Sequence, residues 1–346
     1  MEEWKEYKLG EVCSRLRSGK GIKADSVSNI GKYPVIGGNG VRGYADESNF
    51  EGQAAVIGRQ GAYCGNVHFF EGEAYMTEHA VVAVGNEFAD TRFLACLLSL
   101  MHLGNLSAQS AQPGISVQTL SKQIVRLPSI PYQKKVSAII KSLDDKIEVN
   151  RQINDNLEIQ AFEIFEHLFP DIFRGENKIG DIIVPKRGKG LLSKDAVEGN
   201  VPVVAGGITP ATYHNTSNTE PPVLTIAASG ANAGFVNLWN IPVWCSDSSY
   251  IDSSMTPNVY FWYVLLKRRQ KEIFDAQVGS AQPHIYPKHI AEMPIGYFNR
   301  AEVERFVEIV KPMFDMIGNN KEENKSLSSM RDTLLPLLMS GKLEVK

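Results

Sequence analysis

The chain has 346 residues, 43% of them hydrophobic, and this length suits two or three domains better than a single core. Its 36 basic and 39 acidic residues leave a net charge of −3, which argues against a free-standing protein that holds nucleic acid by bulk charge alone. The sequence contains no run of about eighteen apolar residues and no basic-then-apolar leader, so we expect a cytoplasmic protein that does not enter a membrane.

The first segment, residues 1–130, is predicted to form strands and turns with short helices. Apolar runs at 33–36 and 54–57 end in glycine-rich turns, a further run follows at 80–84, and a helix is predicted near 91–101. Glycine at a strand end permits a positive φ and lets a ligand approach the backbone closely. These turns are therefore candidate binding loops.

A long helix is predicted between Pro131 and Pro170, because apolar residues follow unbroken four-three spacing there. The seam positions are Val136, Ile140, Leu143, Ile147, Asn150, Asn154, Leu157, Ala161, Ile164 and Leu168. Such a heptad seam needs a partner helix. The same spacing, including both asparagines, recurs 170 positions later, at Phe306, Val310, Met313, Ile317, Asn320, Asn324, Leu327, Arg331, Leu334 and Leu338.

The recurrence indicates an internal duplication in which each copy ends in a long helix. Residues 176–300 repeat the features of the first segment, and Ser280-Ala281-Gln282-Pro283 repeats Ser110-Ala111-Gln112-Pro113 at the same 170-residue offset. The residues that follow each double glycine are unlike in the two copies. A shared scaffold with dissimilar loops is typical of two related modules that read two different targets. Two unrelated amphipathic surface helices are the alternative interpretation.

The loops carry side chains suited to nucleic acid. Arg59 and Gln60 lie between glycines, and a guanidinium and an amide read guanine and adenine edges bidentately. Lys186, Arg187 and Lys189 form a compact basic turn suited to phosphates. Each fits a solvated loop as readily, but as a set they favour nucleic acid. The candidate DNA-binding residues are Arg17, Lys20, Lys23, Arg42, Arg59, Gln60, Tyr63, His79, Gln112, Lys186, Arg187, Lys189, His214, Asn215, Ser229, Asn232, Gln282 and His284. The basic run 267–271 fits a solvated helix face or a phosphate contact equally.

Motifs for catalysis and cofactors are weak or missing. The stretch from Gly38 to Gly43 has the dinucleotide-binding glycine spacing, but residues 44–49 look like a loop where that motif needs a helix. No phosphate loop and no Asn-Pro-Pro-aromatic tetrapeptide of an adenine methyltransferase is present. The seven histidines stand singly, and the four cysteines form no Cys-x-x-Cys pair, so we expect reduced thiols and no metal site.

The sequence resembles the specificity subunits of type I restriction-modification systems. The resemblance rests on Leu9 to Val12, the Gln-Pro pairs, the proline-ended strands, the two long helices and Leu334 to Leu343. It implies two target-recognition domains that each read one half of a bipartite double-stranded DNA target. It also implies two kinds of partner, which are methylation subunits that bring S-adenosylmethionine and a subunit for restriction and translocation. The chain itself is then expected to have no catalytic activity and no cofactor. One departure is that only Gln133 stands for the glutamate and glutamine expected before the first long helix.

The predicted fold is α+β, with two tandem α/β target-recognition domains separated by two long helices that form an antiparallel coiled coil, and with an internal two-fold repeat. The predicted bounds are 1–130 for the first domain, 131–175 for the central helix, 176–300 for the second domain and 301–346 for the C-terminal helix. We expect Pro312 to bend or locally break the second helix. The asparagine layer should cost stability but select register.

Two other functions stay open at this point. The glycine content fits an enzyme that binds a nucleotide or sugar phosphate in a glycine-lined cleft. The paired helices also fit an interaction scaffold that binds no nucleic acid. Copurification with a methyltransferase and retention on duplex DNA distinguish the three interpretations.

Overall fold

The structure is a computed structural model that describes residues 2–107, 113–279 and 281–345. Contacts between residues divide the chain into two compact units. Unit 1 comprises Met1–Lys146 and Ser326–Lys346, and unit 2 comprises Ile147–Lys325. Gln112, one of the candidate DNA-binding residues, lies outside the described residues.

Unit 1 contains eight strands and two short helices among its described residues. The strands are β1 (Lys5–Lys8), β2 (Cys13–Ser18), β3 (Tyr33–Gly37), β4 (Gly40–Ala45), β5 (Phe50–Gly58), β6 (Val67–Met76), β7 (Ala80–Gly85) and β8 (Ile124–Leu127). The helices are α1 (Thr91–Leu100) and α2 (Val117–Ser121). Six strands form one sheet in the order β2-β7-β5-β6-β3-β4, in which only β3 and β6 pair in parallel, and β1 pairs with β8.

Two long helices follow the predicted seams. Helix α3 runs from Ile130 to Leu168 over 39 residues, and the C-terminal long helix runs from Arg300 to Met339 over 40 residues. The predicted local break at Pro312 is wrong, because the second helix continues through this residue. Pro312 lies on the exposed side of the helix, where water can bond the Glu308 carbonyl that loses its helical donor.

Unit 2 has nine strands among its described residues. They are β9 (Asn177–Lys178), β10 (Lys186–Arg187), β11 (Val201–Val204), β12 (Thr212–His214), β13 (Val223–Ala227), β14 (Val236–Trp239), β15 (Trp244–Cys245), β16 (Ser248–Asp252) and β17 (Pro294–Ile295). Its short helices are α4 (Val259–Arg268), α5 (Gln270–Asp275) and α6 (Pro287–Ala291). The C-terminal long helix is α7 (Arg300–Met339), whose residues 300–325 belong to unit 2 and whose residues 326–339 belong to unit 1.

The sheets of unit 2 follow an order like that of unit 1. One sheet has the order β10-β16-β13-β14, a second has β12-β11-β15 with β11 and β15 parallel, and β9 pairs with β17. The order β10-β16-β13-β14 in unit 2 corresponds strand for strand to the order β2-β7-β5-β6 in unit 1.

The two units hold the long helices with different chemistry. In unit 1 the fully buried Gln133 of α3 accepts the Asp90 backbone N–H at 2.9 Å and donates to the carbonyls of Phe88 and Pro128 at 2.9 Å each. In unit 2 the rings of Phe165, Phe261 and Phe306 pack within 6.4 Å of one another, between centroids.

The predicted asparagine layer lies within unit 2. Asn150 is buried and its side-chain amide donates to Asn324 Oδ1 at 2.9 Å, while Asn320 donates to Asn154 Oδ1 at 2.8 Å. Asn324 also donates to the carbonyl of Ile147 at 3.3 Å. The pairing of 150 with 324 and of 154 with 320 shows that α3 and α7 run antiparallel here. In the part of the chain that the structure describes, no helix has the length and apolarity needed to cross a bilayer.

Candidate nucleic-acid interface

Several strand ends of unit 1 meet at one end of its six-stranded sheet. Ser18 of β2 pairs with Val81, and Gly58 of β5 pairs with Ala80, the first residue of β7. The backbone N–H of Arg59 donates to the carbonyl of His79 at 2.9 Å. We call the group Ser18, Gly58, Arg59, Gln60 and His79 the unit 1 sheet end.

Two of the predicted residues are within hydrogen-bond distance of each other at the unit 1 sheet end, and a third bonds to Ser18. Gln60 Oε1 lies 3.1 Å from His79 Nδ1, and the Arg59 guanidinium donates to Ser18 Oγ at 3.4 Å. His79 Nε2 is also 3.3 Å from a carboxylate oxygen of Glu78. The unit 1 sheet end therefore carries an amide beside an imidazole, and a guanidinium bonded to a serine hydroxyl. The amide and the imidazole can donate to or accept from base edges, and the guanidinium can donate to them.

The other described candidates of unit 1 are exposed. Arg17 is exposed near the end of β2, and the backbone N–H of Lys20 donates to the carbonyl of Met76 at 2.9 Å. Tyr63 is 48% exposed in the turn after Gln60. Arg42 is exposed on β4, and Lys23 is exposed on the loop after β2.

The corresponding end of the unit 2 sheet carries a different set of side chains. Arg187 ends β10, and its Nη2 donates to Asp247 Oδ1 at 2.5 Å. Ser229, which follows β13, donates through its hydroxyl to the other carboxylate oxygen of Asp247. Ser229 also forms an isolated backbone bridge with His284. We call the group Arg187, Ala228, Ser229, Asp247 and His284 the unit 2 sheet end.

Other predicted residues of unit 2 lie close to this group in the chain. Lys186 is exposed on β10 beside Arg187, and the backbone N–H of Lys189 donates to the carbonyl of Cys245 at 3.0 Å. Asn232 is half-buried in the turn after Ser229, and Gln282 is exposed two residues before His284.

The structure does not bring His214 and Asn215 to the unit 2 sheet end. His214 is 8% exposed, pairs with Val201 at the opposite end of β11, and accepts the Val197 backbone N–H at 3.0 Å. Its ring also meets the edge of Trp244. A histidine that is buried and bonded in this way packs the fold, and we leave it and the neighbouring Asn215 out of the proposed surface.

The basic run at 267–271 serves packing in unit 2. Arg269 is 4% exposed, donates to the carbonyl of Pro294 at 2.5 Å and pairs with Glu272. Arg268 pairs with Glu166, and the Lys267 ammonium donates to the carbonyl of Val236 at 3.0 Å. These charges are therefore bonded within the protein.

The backbones of the two sheet ends are held by the same hydrogen-bond pattern. In unit 1 the bonds run from Arg59 N to His79 O (2.9 Å), from Ile115 N to Arg59 O (3.0 Å) and from Gly61 N to Pro113 O (3.0 Å). In unit 2 the corresponding bonds, in the same order, run from Ala228 N to Asp247 O (3.1 Å), from Ile285 N to Ala228 O (2.9 Å) and from Gly230 N to Pro283 O (3.1 Å). This pattern makes Gln60 equivalent to Ser229 and His79 equivalent to Asp247.

Sequence reasoning missed Ser18 and Asp247. The two copies differ slightly in loop length, so a constant 170-residue offset aligns His79 with Ser249 and passes over Asp247. An alignment that permits short gaps before β16 would have found it.

Two partly or fully buried groups of these sheets take no part in the candidate surface. Burial raises the pKa of the Cys245 thiol to about 12, so it stays protonated at neutral pH. The Arg15 guanidinium lies over the Phe50 ring. Burial lowers the pKa of Arg15, and the nearby positive charge of Arg17 lowers it further. Within the described residues, His, Cys, Asp and Glu form no group of three that could hold a metal ion.

Comparisons with known proteins find similarity to one family. Residues 1–159 match the family model described as the type I restriction modification DNA specificity domain. The specificity subunit of the type I restriction enzyme EcoprrI from Escherichia coli is 38% identical over 41% of this chain, and the match spans 36% of that protein. A putative type I specificity subunit of Mycoplasma pneumoniae is 24% identical over 96% of this chain and 95% of its own length.

A solved structure shows the same fold. The S subunit of a type I restriction-modification system from M. genitalium has a TM-score of 0.66 and 21% identity, covering 97% of this chain and 96% of that one. The mixed α+β architecture with two domains and long helices is thereby confirmed.

Proposed function

We propose that this chain is a specificity subunit of a type I restriction-modification system, which reads a bipartite double-stranded DNA target and recruits the subunits that methylate and cut it. Unit 1 reads one half-site through its sheet end and unit 2 reads the other. The chain is a specificity subunit and not an enzyme.

The observation that carries the proposal is the shared backbone pattern beneath different side chains. Reading two unlike half-sites needs two surfaces of one geometry whose donors and acceptors differ. Gln60 and His79 in unit 1 correspond to Ser229 and Asp247 in unit 2. These residues offer different hydrogen-bonding groups to a base edge.

We further propose that the chain is an internal two-fold repeat whose helices α3 and α7 form an antiparallel coiled coil. The matching sheet orders of the two units support the repeat. The paired asparagines support the coiled coil, since a polar seam layer lowers stability but favours the one register in which its amides pair. Residues 1–130 and 176–300 would be the recognition domains, with helical segments at 131–175 and 301–346.

The proposed partners are DNA, methylation subunits that bring S-adenosylmethionine, and a restriction and translocation subunit. The chain's net charge of −3 supports a dependence on partners for DNA binding. Positive charge that can bind DNA phosphates is confined to local groups in this chain, so partners would supply the rest. The cytoplasmic location stays a prediction.

The nucleotide-binding alternative finds no support at the residues that suggested it. Gly38 to Gly43 lie in the turn and second strand of the β3–β4 hairpin, and residues 46–49, where the dinucleotide-binding motif needs a helix, lie outside any helix or strand. No helix N-terminus follows that could receive a pyrophosphate.

Exchange of one domain tests the proposal. Residues 1–130 are replaced by the matching segment of a relative, the chimera is expressed with its methylation subunit, and methylated motifs are sequenced. We expect one half-site to change and the other to stay, because each unit has its own surface. The matched control exchanges residues 176–300 and should change the other half-site. Motifs altered in both halves by either exchange would contradict the proposal.

A further inference from the structure

We infer that Arg187 reads a guanine in the second half-site and that Asp247 holds its guanidinium in the reading position. This inference rests on the proposed function and adds a base class and a positioning residue to it. Arg187 is at hydrogen-bond distance from Asp247, and both side chains face solvent in part, at 43% and 39% exposure.

The backbone fixes where the Arg187 side chain starts. Arg187 pairs with Ser249 at the end of β10, and the next residue, Gly188, donates to the carbonyl of Ser248 at 2.8 Å. A Cβ on Gly188 would lie 2.4 Å from the carbonyl oxygen of Cys245, so the chain can turn this tightly only at glycine. The guanidinium therefore extends from a strand end that is tied to its neighbour.

Asp247 fixes where the side chain ends. One carboxylate oxygen accepts from Arg187 Nη2 and the other accepts from the Ser229 hydroxyl, so Ser229 orients the carboxylate that orients the arginine. An ion pair with this much exposure adds little to folding stability. Its effect is to reduce the number of positions that a long, flexible side chain explores before it binds.

The remaining donors of Arg187 fit one base. Among the described residues, only Nη2 has a hydrogen-bond partner, which leaves the Nε and Nη1 groups and the second Nη2 hydrogen to donate. Guanine presents two acceptors, O6 and N7, side by side in the major groove, and arginine is a common bidentate partner for them. A phosphate is the competing ligand of a guanidinium, and the test separates the two.

The unit 1 sheet end has no pair that corresponds to Arg187 and Asp247. Ser18 precedes the tight turn at Gly19 as Arg187 precedes the turn at Gly188, and His79 takes the place of Asp247. An arginine that is held by an aspartate is therefore a feature of the unit 2 sheet end and not of the unit 1 sheet end. The first half-site serves as an internal reference in the same DNA molecule.

The test compares Arg187→Lys with Arg187→Ala in the full chain assembled with its methylation subunit. Methylated-motif sequencing first gives the target. Binding is then measured on DNAs that vary each base of the second half-site and on unrelated duplex DNA. We expect both variants to lose about 5- to 150-fold in discrimination at one guanine. Arg187→Lys should keep its binding to unrelated DNA, since lysine retains the charge but not the fork.

Asp247 is tested by two substitutions with one readout. Asp247→Ala should relax the same guanine position, whereas Asp247→Asn keeps one acceptor oxygen for Arg187, with an NH2 group that can donate to the Ser229 hydroxyl, and should restore most of the discrimination. Thermal unfolding checks that the variants fold. Lys186→Ala, which removes an exposed neighbouring charge, should weaken binding to all DNA sequences alike.

Three results would overturn the inference. They are unchanged discrimination in Arg187→Lys, an affected position that is not guanine, and a loss that is equal on all sequences, which would make Arg187 a phosphate contact. The proposed function is judged separately by the exchange of residues 176–300. If that exchange changes the second half-site while the Arg187 variants do not, only the guanine reading fails.

Discussion

At the unit 1 sheet end Gln60 is within hydrogen-bond distance of His79, whereas at the unit 2 sheet end Arg187 and Ser229 both bond to Asp247. The backbone bonds beneath these side chains correspond one for one. Main-chain bonding therefore fixes the position of the proposed reading surface, while the side chains placed on it differ. Such a division lets one fold serve many targets.

The two units also differ in the interactions by which they pack against the long helices. Unit 1 uses a buried amide, Gln133, with three hydrogen bonds, and unit 2 places the buried Val303 at the position 170 residues later. Aromatic rings then fill the junction in unit 2. A hydrogen-bonded junction fixes direction, whereas an apolar junction depends on shape and buried area.

The largest effect should come from the glycines of the shared pattern. Gly65 and Gly234 have φ values of 85° and 88°, and each donates to the strand before it. A Cβ on Gly65 would lie 2.0 Å from the backbone nitrogen of Gly104, whereas one on Gly234 would lie 2.8 Å from a methyl group of Ile273. Alanine should therefore abolish folding of unit 1 at Gly65 and weaken unit 2 less at Gly234, because a methyl group can move and a backbone cannot.

Denaturant unfolding and limited proteolysis of the full chain measure this difference. Gly61→Ala is the control, since its φ is 77° but no atom lies within 4 Å of the added Cβ. It should cost only the left-handed strain of about 1 to 2 kcal/mol. Equal losses at Gly61 and Gly65 would show that strain alone decides the effect.

A smaller effect should follow from Gln133→Val, which gives unit 1 the residue of unit 2. The substitution leaves the Asp90 N–H and the carbonyls of Phe88 and Pro128 without their partner, so we expect a loss of about 2 to 5 kcal/mol. Gln152→Val, the same change at an exposed site of α3, should cost well under about 1 kcal/mol. A loss at Gln133 as small as at Gln152 would show that water replaces the three bonds.

The periodic parts of the chain could be predicted from sequence. Helix α3 begins and ends within two residues of the predicted prolines, because a 39-residue seam gives many independent repeats of one signal. The apolar runs at 33–36 and 54–57 were likewise found as the strands β3 and β5. Helices and strands whose apolar residues repeat with the period of the backbone can therefore be predicted from sequence.

The sites could be predicted only in part, because side-chain partners depend on strand pairing that the sequence does not display. Arg59 and Gln60 were named as a pair and His79 separately, and the pairing of β5 with β7 brings His79 next to them. His214 looked like a free polar residue but is packed, and Asp247 was missed because its partners are 60 and 18 positions away. Pro312 was expected to interrupt α7, yet its exposed position makes the lost hydrogen bond tolerable.

The central claim is that the two sheet ends read their half-sites separately, and a double-mutant cycle on Arg59 and Arg187 tests it most directly. Binding of the assembled complex to its methylated motif is measured for Arg59→Ala, Arg187→Ala and the double variant. Each single change should cost about 1 to 3 kcal/mol and relax one half-site, the first for Arg59 and the second for Arg187. The double variant should equal their sum within about 0.5 kcal/mol. A larger coupling, or both losses in the same half-site, would contradict separate readers.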